Sequence, residues 1–158
     1  MQKVTTWLWF DNRGEEAAEF YTSLIPNSRV TGKTHYGEAG PGEPGSVMTV
    51  AFELGGVEYV ALNGGHAHFA FNESMSLEVD CDSQDEVDEL WKKLSEGGEE
   101  GPCGWLKDRY GLSWQIVPNR LMELLMDPDP GISQRTMKAM MTMTKIDIAE
   151  LERAAANG

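Results

Sequence analysis

The sequence predicts an α+β fold of two βαβββ modules, followed by a helical C-terminal extension. Three observations predict it. A helical pattern near the N-terminus recurs 70 residues later, and a glycine turn followed by an alternating strand recurs 55 residues later. From about Asn119 onward neither pattern continues. Because internal repeats indicate repeated supersecondary units, we expect paired modules over 1–118, with the first over 1–70 and the second over 71–118, and the extension over 119–158.

The first strand and helix of each module show the same design. The predicted strands run from Val4 to Phe10 and from Met75 to Cys81. Each helix carries an apolar stripe at positions i, i+3, i+4 and i+7. The stripe residues are Ala17, Phe20, Tyr21 and Leu24 in the first helix and Val87, Leu90, Trp91 and Leu94 in the second. Asn12 and Ser83 each precede a glutamate by three residues, which predicts a capping box at both helices.

The later strands of each module end in a hairpin. The run from Gly55 to Leu62 matches the run from Tyr110 to Val117, each a glycine turn followed by an alternating strand. The two offsets of 70 and 55 differ by 15 residues, which one insertion in the first module explains. The segment from His35 to Gly45 is rich in glycine and proline, so we expect a flexible, polar loop there.

The C-terminal extension is predicted to hold two short helices after a linker from Met126 to Gly131, with Asp147 capping the second helix. Six of the nine methionines lie after position 120. Methionine side chains adapt to irregular apolar surfaces, so we expect them to pack on a neighbouring surface, foremost a partner subunit. A ligand-lining or metal-thioether role is the alternative.

Composition and charge limit the partners. The chain has 158 residues, 41% of them hydrophobic, which is enough for a core. With 13 basic against 26 acidic residues the net charge is −13, so neither a nucleic acid nor an anionic membrane is an expected partner. The N-terminus lacks a signal-peptide pattern, and no apolar run reaches the roughly 18 residues of a membrane span. Cys81 and Cys103 have no metal-like spacing, so we expect reduced thiols and a cytoplasmic location.

Several segments of the sequence resemble the PhnB-like family of the vicinal oxygen chelate superfamily. This family is often labelled 3-demethylubiquinone-9 3-methyltransferase. That superfamily includes glyoxalase I, fosfomycin- and bleomycin-resistance proteins and ring-cleaving dioxygenases. The matching phrases, which cover nearly the whole chain, are LWFDNRGEEAAEFYTSLIPNSRV, GSVMTVAFELGGVEYVALNGG, FNESMSLEVDC, ELWKKLSEGGEEGPCGWLKDRYGLSWQIVP and DPDPGISQRTMKAMMTMTKIDIAEL. The resemblance implies curved sheets that line a cavity, helices on the convex faces, and a homodimer.

The methyltransferase label finds no support in the glycine pattern. A nucleotide-linked methyl donor usually rests on a glycine-rich turn between a parallel strand and a helix. The glycine clusters here (Gly40 to Gly45, Gly64–Gly65 and Gly97–Gly98) lie in hairpin-like or helix-ending contexts. We therefore judge methyl transfer improbable.

The metal site of the superfamily is not evident in this chain. Its enzymes hold a divalent ion with His, Gln or Glu side chains that project into the cavity. The resemblance puts one ligand four residues after the hairpin glycine, which is Gln115 in the second module and Val60 in the first. We therefore predict no cofactor. His66 and His68 are the weak alternative metal ligands, because an extended segment would put both imidazoles on one face.

Aromatic and amide side chains are the candidate ligand contacts. In an alternating strand Trp7 and Trp9 share a face, which would give a cavity an aromatic wall. The segments most like the family add Asn63, Trp105 and Gln115, so these five residues are the predicted ligand-binding set. Any one tryptophan could instead be plain core, and the Asn63 side chain could instead shape the turn.

Glu78 is the candidate catalytic residue. Alternation along its strand turns this carboxylate away from the helix, where a hydrophobic cavity would raise its pKa and suit it to act as a base. Exposure to solvent would remove that argument. No Ser/His/Asp or Cys/His arrangement is evident from spacing.

These observations predict a cytoplasmic, homodimeric, metal-independent protein that binds a small organic molecule. A metal-dependent enzyme of the glyoxalase or dioxygenase type, with lyase, isomerase or dioxygenase chemistry, is the first alternative. It would use His66, His68, Glu78 and Gln115. The second alternative is a protein-interaction module that docks through its methionine-rich tail.

Overall fold

The structure is a computed structural model that describes residues 2–157. The chain forms two compact units that divide between Phe69 and Ala70. The elements of the first unit are β1 (Thr6–Phe10), α1 (Gly14–Leu24), β2 (Arg29–His35), β3 (Val47–Leu54) and β4 (Val57–Asn63). Those of the second are β5 (Ser76–Cys81), α2 (Gln84–Ser95), β6 (Glu99–Glu100), β7 (Trp105–Lys107), β8 (Ser113–Pro118), α3 (Asn119–Leu125), α4 (Pro130–Met140) and α5 (Ile148–Ala156).

Both units contain a four-stranded sheet with the same strand order. The order is β1-β4-β3-β2 in the first sheet and β5-β8-β7-β6 in the second. In each sheet the first and last strands of the module pair in parallel, and the other pairs are antiparallel. This topology confirms the predicted α+β fold of two βαβββ modules.

The two modules differ by one residue between the first strand and the helix. Leu8 lies opposite Ala61 in the first sheet, and Val79 lies opposite Ile116 in the second. The first strands therefore repeat at an offset of 71, whereas the helices repeat at 70. The link between strand and helix is accordingly one residue shorter in the second module.

This difference changes how the two helices begin. In α2 the Ser83 hydroxyl accepts a hydrogen bond from the Glu86 backbone N–H at 3.2 Å, so the predicted cap is confirmed. The predicted cap at Asn12 is wrong. Arg13 occupies the N-cap of α1 but makes no side-chain capping bond, and the side-chain oxygen of Asn63 accepts from the Gly14 N–H at 2.7 Å.

The cores follow the predicted stripes most closely in the second unit. Val87, Leu90, Trp91 and Leu94 are all buried in α2. In α1 Ala17, Ala18 and Tyr21 are buried, whereas Phe20 and Leu24 are only partly so. Alternation holds in the sheets: Leu8 and Phe10 are buried in β1, and their neighbours Trp7 and Trp9 are exposed.

Residues 119–157 hold three helices. The two predicted ones are α4 and α5, and the Asp147 carboxylate caps α5 by accepting from the Glu150 N–H at 3.1 Å. The sequence did not indicate α3, which has seven residues and no side-chain cap. Their shared core is formed by Val117, Leu121, Leu124, Ile146, Leu151 and Ala155. Within residues 2–157 no helix is both long and apolar enough to cross a membrane.

The inserted loop packs against the first unit at its start. Tyr36 is only 8% exposed, and its hydroxyl donates to the Asn63 carbonyl at 2.5 Å. A Cβ at Gly42 would lie 2.3 Å from the Tyr36 ring, so the glycine permits the loop to fold against that ring. The expectation of a polar loop that stays out of the core is therefore wrong at Tyr36.

Candidate functional site

The face of the second sheet that points away from α2 carries two rows of polar side chains. Strand register aligns one row across β5, β8 and β7, consisting of Glu78, Gln115 and Trp105. The second row crosses all four strands and consists of Ser76, Ser113, Lys107 and Glu99. Because side chains alternate along a strand, the intervening residues Leu106, Trp114 and Ile116 are turned to the other face, where they are buried.

A pocket of about 260 Å³ opens where the second row reaches β6. Its polar and aromatic lining comprises Glu73, Glu99, Glu100, Trp105, Lys107 and Ser113. The lining therefore combines an indole ring, a hydroxyl group and charged groups of both signs. Such a mixture is suited to holding a small polar molecule with an apolar part.

Ser113 is the most unusual member of the pocket. The residue is only 1% exposed, and among the described residues its hydroxyl oxygen has no hydrogen-bond partner. A buried polar group without a partner costs about 1–3 kcal/mol, so native proteins seldom keep one without a reason. A bound molecule that reaches the Ser113 hydroxyl would remove that cost.

Lys107 and Glu73 form an ion pair at the pocket. The hydrogen bond to Glu73 raises the pKa of Lys107, and the same bond lowers the pKa of the Glu73 carboxyl. Glu100 is held from another side, because its carboxylate accepts a hydrogen bond of 2.6 Å from the Trp91 indole. These contacts orient two of the carboxylates before any ligand binds.

Gln115 and Glu78 lie side by side in the other polar row. The Gln115 amide donates to the Ser76 hydroxyl at 2.9 Å, so one end of its side chain is already engaged. Partial loss of water, and then the Asp80 carboxylate, raise the pKa of Glu78. The Glu78 side chain nevertheless remains exposed. Its role as a base is still a prediction, and exposure is the condition that weakens it.

In the first unit, Trp7 and Trp9 lie on the face opposite the buried Leu8 and Phe10. Trp7 is 56% exposed and Trp9 39%. The Trp9 indole donates to the Gly65 carbonyl at 3.0 Å, and its ring meets Phe69 edge-on at 5.2 Å between centroids. Trp9 thus also shapes the segment that follows β4, whereas Trp7 is the more open of the two aromatic surfaces.

Asn63 has a structural function that its position in the sequence does not reveal. Its side-chain oxygen accepts from the Gly14 N–H, and its amide donates to the Val47 carbonyl at 3.1 Å. Both polar ends of the side chain are therefore used within the first unit. That Asn63 contacts a ligand is still a prediction. Its side chain would have to bond the ligand while keeping these two hydrogen bonds.

The histidine pair does not have the geometry that a metal site would need from an extended segment. His66 and His68 are exposed and lie in bends after β4 rather than in a strand. Among residues 2–157 no three His, Cys, Asp or Glu side chains group closely enough to hold a metal ion. At the positions that the resemblance assigns to ligands the chain has Gln115 and Val60, of which only the Gln115 amide can donate to a divalent ion.

Sequence reasoning did not identify Ser113, Lys107, Glu73 and Glu99 as site residues. Alternation does put Ser113 on the same face as Gln115, but no pattern in the sequence shows that its hydroxyl lacks a partner. Glu73 precedes β5 in a loop, and Glu99 belongs to a strand of only two residues. Neither carboxylate lies in a pattern that indicates where it will meet Lys107.

A protein-family model matches well over half of the chain. Residues 2–117 match the family described as 3-demethylubiquinone-9 3-methyltransferase. No curated protein matches the chain.

Solved structures agree with this match. A Bacillus cereus protein described as a 3-demethylubiquinone-9 3-methyltransferase, PhnB protein, is 37% identical, with a TM-score of 0.67. The alignment covers 74% of this chain and 99% of that one. Two fosfomycin resistance proteins, both FosX, share the fold alone. The one from Mesorhizobium loti is 12% identical, with a TM-score of 0.53 and coverage of 80% and 100%. The one from Listeria monocytogenes is 14% identical, with a TM-score of 0.52 and coverage of 78% and 97%.

Proposed function

The chain belongs to the PhnB-like 3-demethylubiquinone-9 3-methyltransferase family of the vicinal oxygen chelate superfamily, and from that premise we propose that it binds a small organic molecule without a metal. The observation that carries the proposal is the pocket beside Trp105, with the partnerless Ser113 hydroxyl buried in its wall. We further propose that the protein is a cytoplasmic homodimer. Methyl transfer is not proposed, because the glycine clusters lack the strand-to-helix context of a methyl-donor site.

The proposed ligand contacts centre on Trp105 and Gln115. Trp105 lines the pocket and lies opposite Gln115 in the strand register, so an aromatic surface and an amide meet at adjacent positions. This combination gives a ligand apolar contact area and an orienting hydrogen bond. Trp7, Trp9 and Asn63 are proposed separately, as ligand contacts within the first unit, and Trp7 is the most exposed of the three.

Native mass spectrometry of the untagged protein, purified without chelators, tests this proposal. We expect an organic mass bound to the wild-type chain and its loss in Trp105→Ala. Val57→Ala is the matched control, because Val57 is an apolar side chain that is 49% exposed on β4 of the first unit. An organic mass that survives Trp105→Ala unchanged would place the ligand elsewhere and overturn the proposed site.

The same spectra test metal independence. One metal ion per chain, lost in a His66→Ala/His68→Ala double variant, would support the metal-dependent enzyme instead. Glu78→Gln would then be the next variant, because Glu78 is the candidate base. We expect no stoichiometric metal, since the assigned ligand positions hold an amide and a valine.

The proposed homodimer is supported by exposed methionines on α3 and α4 or directly after them. Met122, Met126, Met137 and Met141 are between 40% and 76% exposed. Large exposed apolar side chains are typical of protein interfaces. We expect light scattering to give the mass of a dimer, and we expect Met126→Gln/Met141→Gln to weaken it. A wild-type monomer at micromolar concentration would contradict this part of the proposal.

A further inference from the structure

We propose that the ligand of this pocket is a small organic cation, an ammonium ion joined to an aromatic or aliphatic body. The inference rests on the proposed function, since it names the chemical class that the Trp105 pocket selects. It is drawn from the charges of the lining residues, the buried hydroxyl and the indole ring.

The charges of the lining favour a cation. The side chains that line the pocket include three carboxylates and one ammonium, a net charge of −2. Glu73 already neutralises Lys107 through their ion pair, and the Glu100 carboxylate is engaged by the Trp91 indole. Glu99 lies opposite Lys107 in the strand register and attracts it electrostatically, but the ion-pair contact of Lys107 is to Glu73. The Glu99 carboxylate is therefore the charge best placed to meet a ligand.

The uncharged groups of the pocket fit the same ligand. An ammonium group carries only hydrogen-bond donors, and the Ser113 hydroxyl is a buried acceptor without a partner. Ser113 and Lys107 are register partners across β8 and β7, which puts the hydroxyl in the same row as Glu99. The Trp105 ring adds a surface on which cations are attracted electrostatically.

The size of the pocket limits the ligand further. Its volume of about 260 Å³ lies just below the range of about 300–1,000 Å³ that is usual for ligand pockets. A body of one ring therefore fits better than a polycyclic one. The net charge of −13 on the chain would also attract a cation from solution and repel an anion.

A matched series of three probes tests the charge of the ligand by calorimetry at low salt. The probes are 2-phenylethylammonium, 2-phenylethanol and phenylacetate, which keep the ring and change the charge. We expect the ammonium to bind up to about fivefold more tightly than the alcohol, as one partly exposed charge contact would give. We expect phenylacetate not to bind.

Two variants test whether Glu99 and Ser113 cause the preference for the ammonium probe. Glu99→Gln should remove most of the preference for the ammonium and leave the affinity for the alcohol unchanged, whereas Glu96→Gln, the same change at an exposed position outside the pocket lining, should do neither. Ser113→Ala should weaken the binding of 2-phenylethylammonium. It should not lower the midpoint of thermal unfolding, because the hydroxyl that it removes has no hydrogen-bond partner within the protein.

The outcomes separate this inference from the proposed function. If the alcohol binds as tightly as the ammonium and Trp105→Ala abolishes the binding of both, the ligand is not selected for its positive charge. The proposed small-molecule site beside Trp105 is then retained. If none of the three probes binds, the cation class is overturned, and the bound mass and its dependence on Trp105 decide the proposed function separately.

Discussion

Asn63 connects three parts of the first unit through one residue. Its side chain joins the start of α1 to the start of β3, and its carbonyl accepts from the Tyr36 hydroxyl. Asn63→Ala leaves the Gly14 N–H and the Val47 carbonyl without these partners in a partly buried place. We expect a loss of about 2 kcal/mol in the free energy of unfolding, measured in urea.

Asn72→Ala is the matched control for Asn63. The Asn72 side chain makes a local bond to the Ser74 N–H on an exposed loop, so its loss should stay within about 0.5 kcal/mol. Equal stability of the two variants would show that the network around Asn63 does not stabilise the first unit.

The two cysteines should react at very different rates. Burial, and then the nearby carboxylates of Glu86, Asp80 and Asp82, raise the pKa of the Cys81 thiol to about 12. At pH 8 almost none of it is thiolate, the form that attacks thiol reagents. We expect one fast-labelled cysteine per folded chain, counted by mass spectrometry.

Cys103→Ser identifies the fast thiol, because Cys103 is only half-buried. This variant should remove the fast phase of labelling, and Cys81→Ser should not. The Cys81 reaction should accelerate as the pH rises toward its pKa. Fast labelling of Cys81 at pH 8 would contradict the burial described here.

At the level of elements, the two helix starts provide a direct comparison. Ser83 caps α2, whereas Asn12 leaves α1 uncapped by its side chain. Ser83→Ala should therefore destabilise the protein by about 1 kcal/mol, and Asn12→Ala should change stability by less than about 0.5 kcal/mol. Chemical unfolding followed by circular dichroism measures both. A larger loss for Asn12→Ala than for Ser83→Ala would reverse this assignment.

The hairpin between β7 and β8 is organised by one buried carboxylate. Asp108 is 2% exposed and accepts from the Tyr110 and Leu112 N–H groups at 2.8 and 3.1 Å and from the Trp114 indole at 2.8 Å. Asp108→Asn replaces an acceptor with a donor among these three donors. We expect a cost of about 2–3 kcal/mol in unfolding free energy.

A double-mutant cycle checks this account of the hairpin. Trp114→Phe removes one of the three donors, so Asp108→Asn should cost less in that background than in the wild type. Strictly additive losses would mean that the carboxylate and the indole do not stabilise each other.

The sequence predicted the elements unevenly, for physical reasons. The stripe of α2 and its Ser83 cap are local patterns, and the structure has both. The start of α1 depends on Asn63, which is 49 residues from Gly14, and so no local pattern could reveal it. The short helix α3 has no side-chain cap, and its packing on α4 and α5 stabilises it instead.

At the level of the whole molecule, one topology occurs twice with different side chains on the sheets. The repeat could be predicted because the same apolar pattern recurs at constant offsets along the sequence. The family could be predicted because whole segments of the sequence resemble it. Equivalent positions nevertheless differ, as Val60 and Gln115 show. The pocket draws on a loop, a two-residue strand and two further strands, so its charges meet only after folding.

Binding of a small molecule beside Trp105 is tested most directly by a titration of protein labelled with ¹⁵N at the five tryptophan indoles. The probe is 2-phenylethylammonium, and each signal is assigned by a Trp→Phe variant. We expect the Trp105 signal to shift with saturation, whereas the signal of Trp114, which is buried and bonded to Asp108, should not shift. Saturable shifts at other tryptophans with Trp105 unmoved would contradict binding at this site.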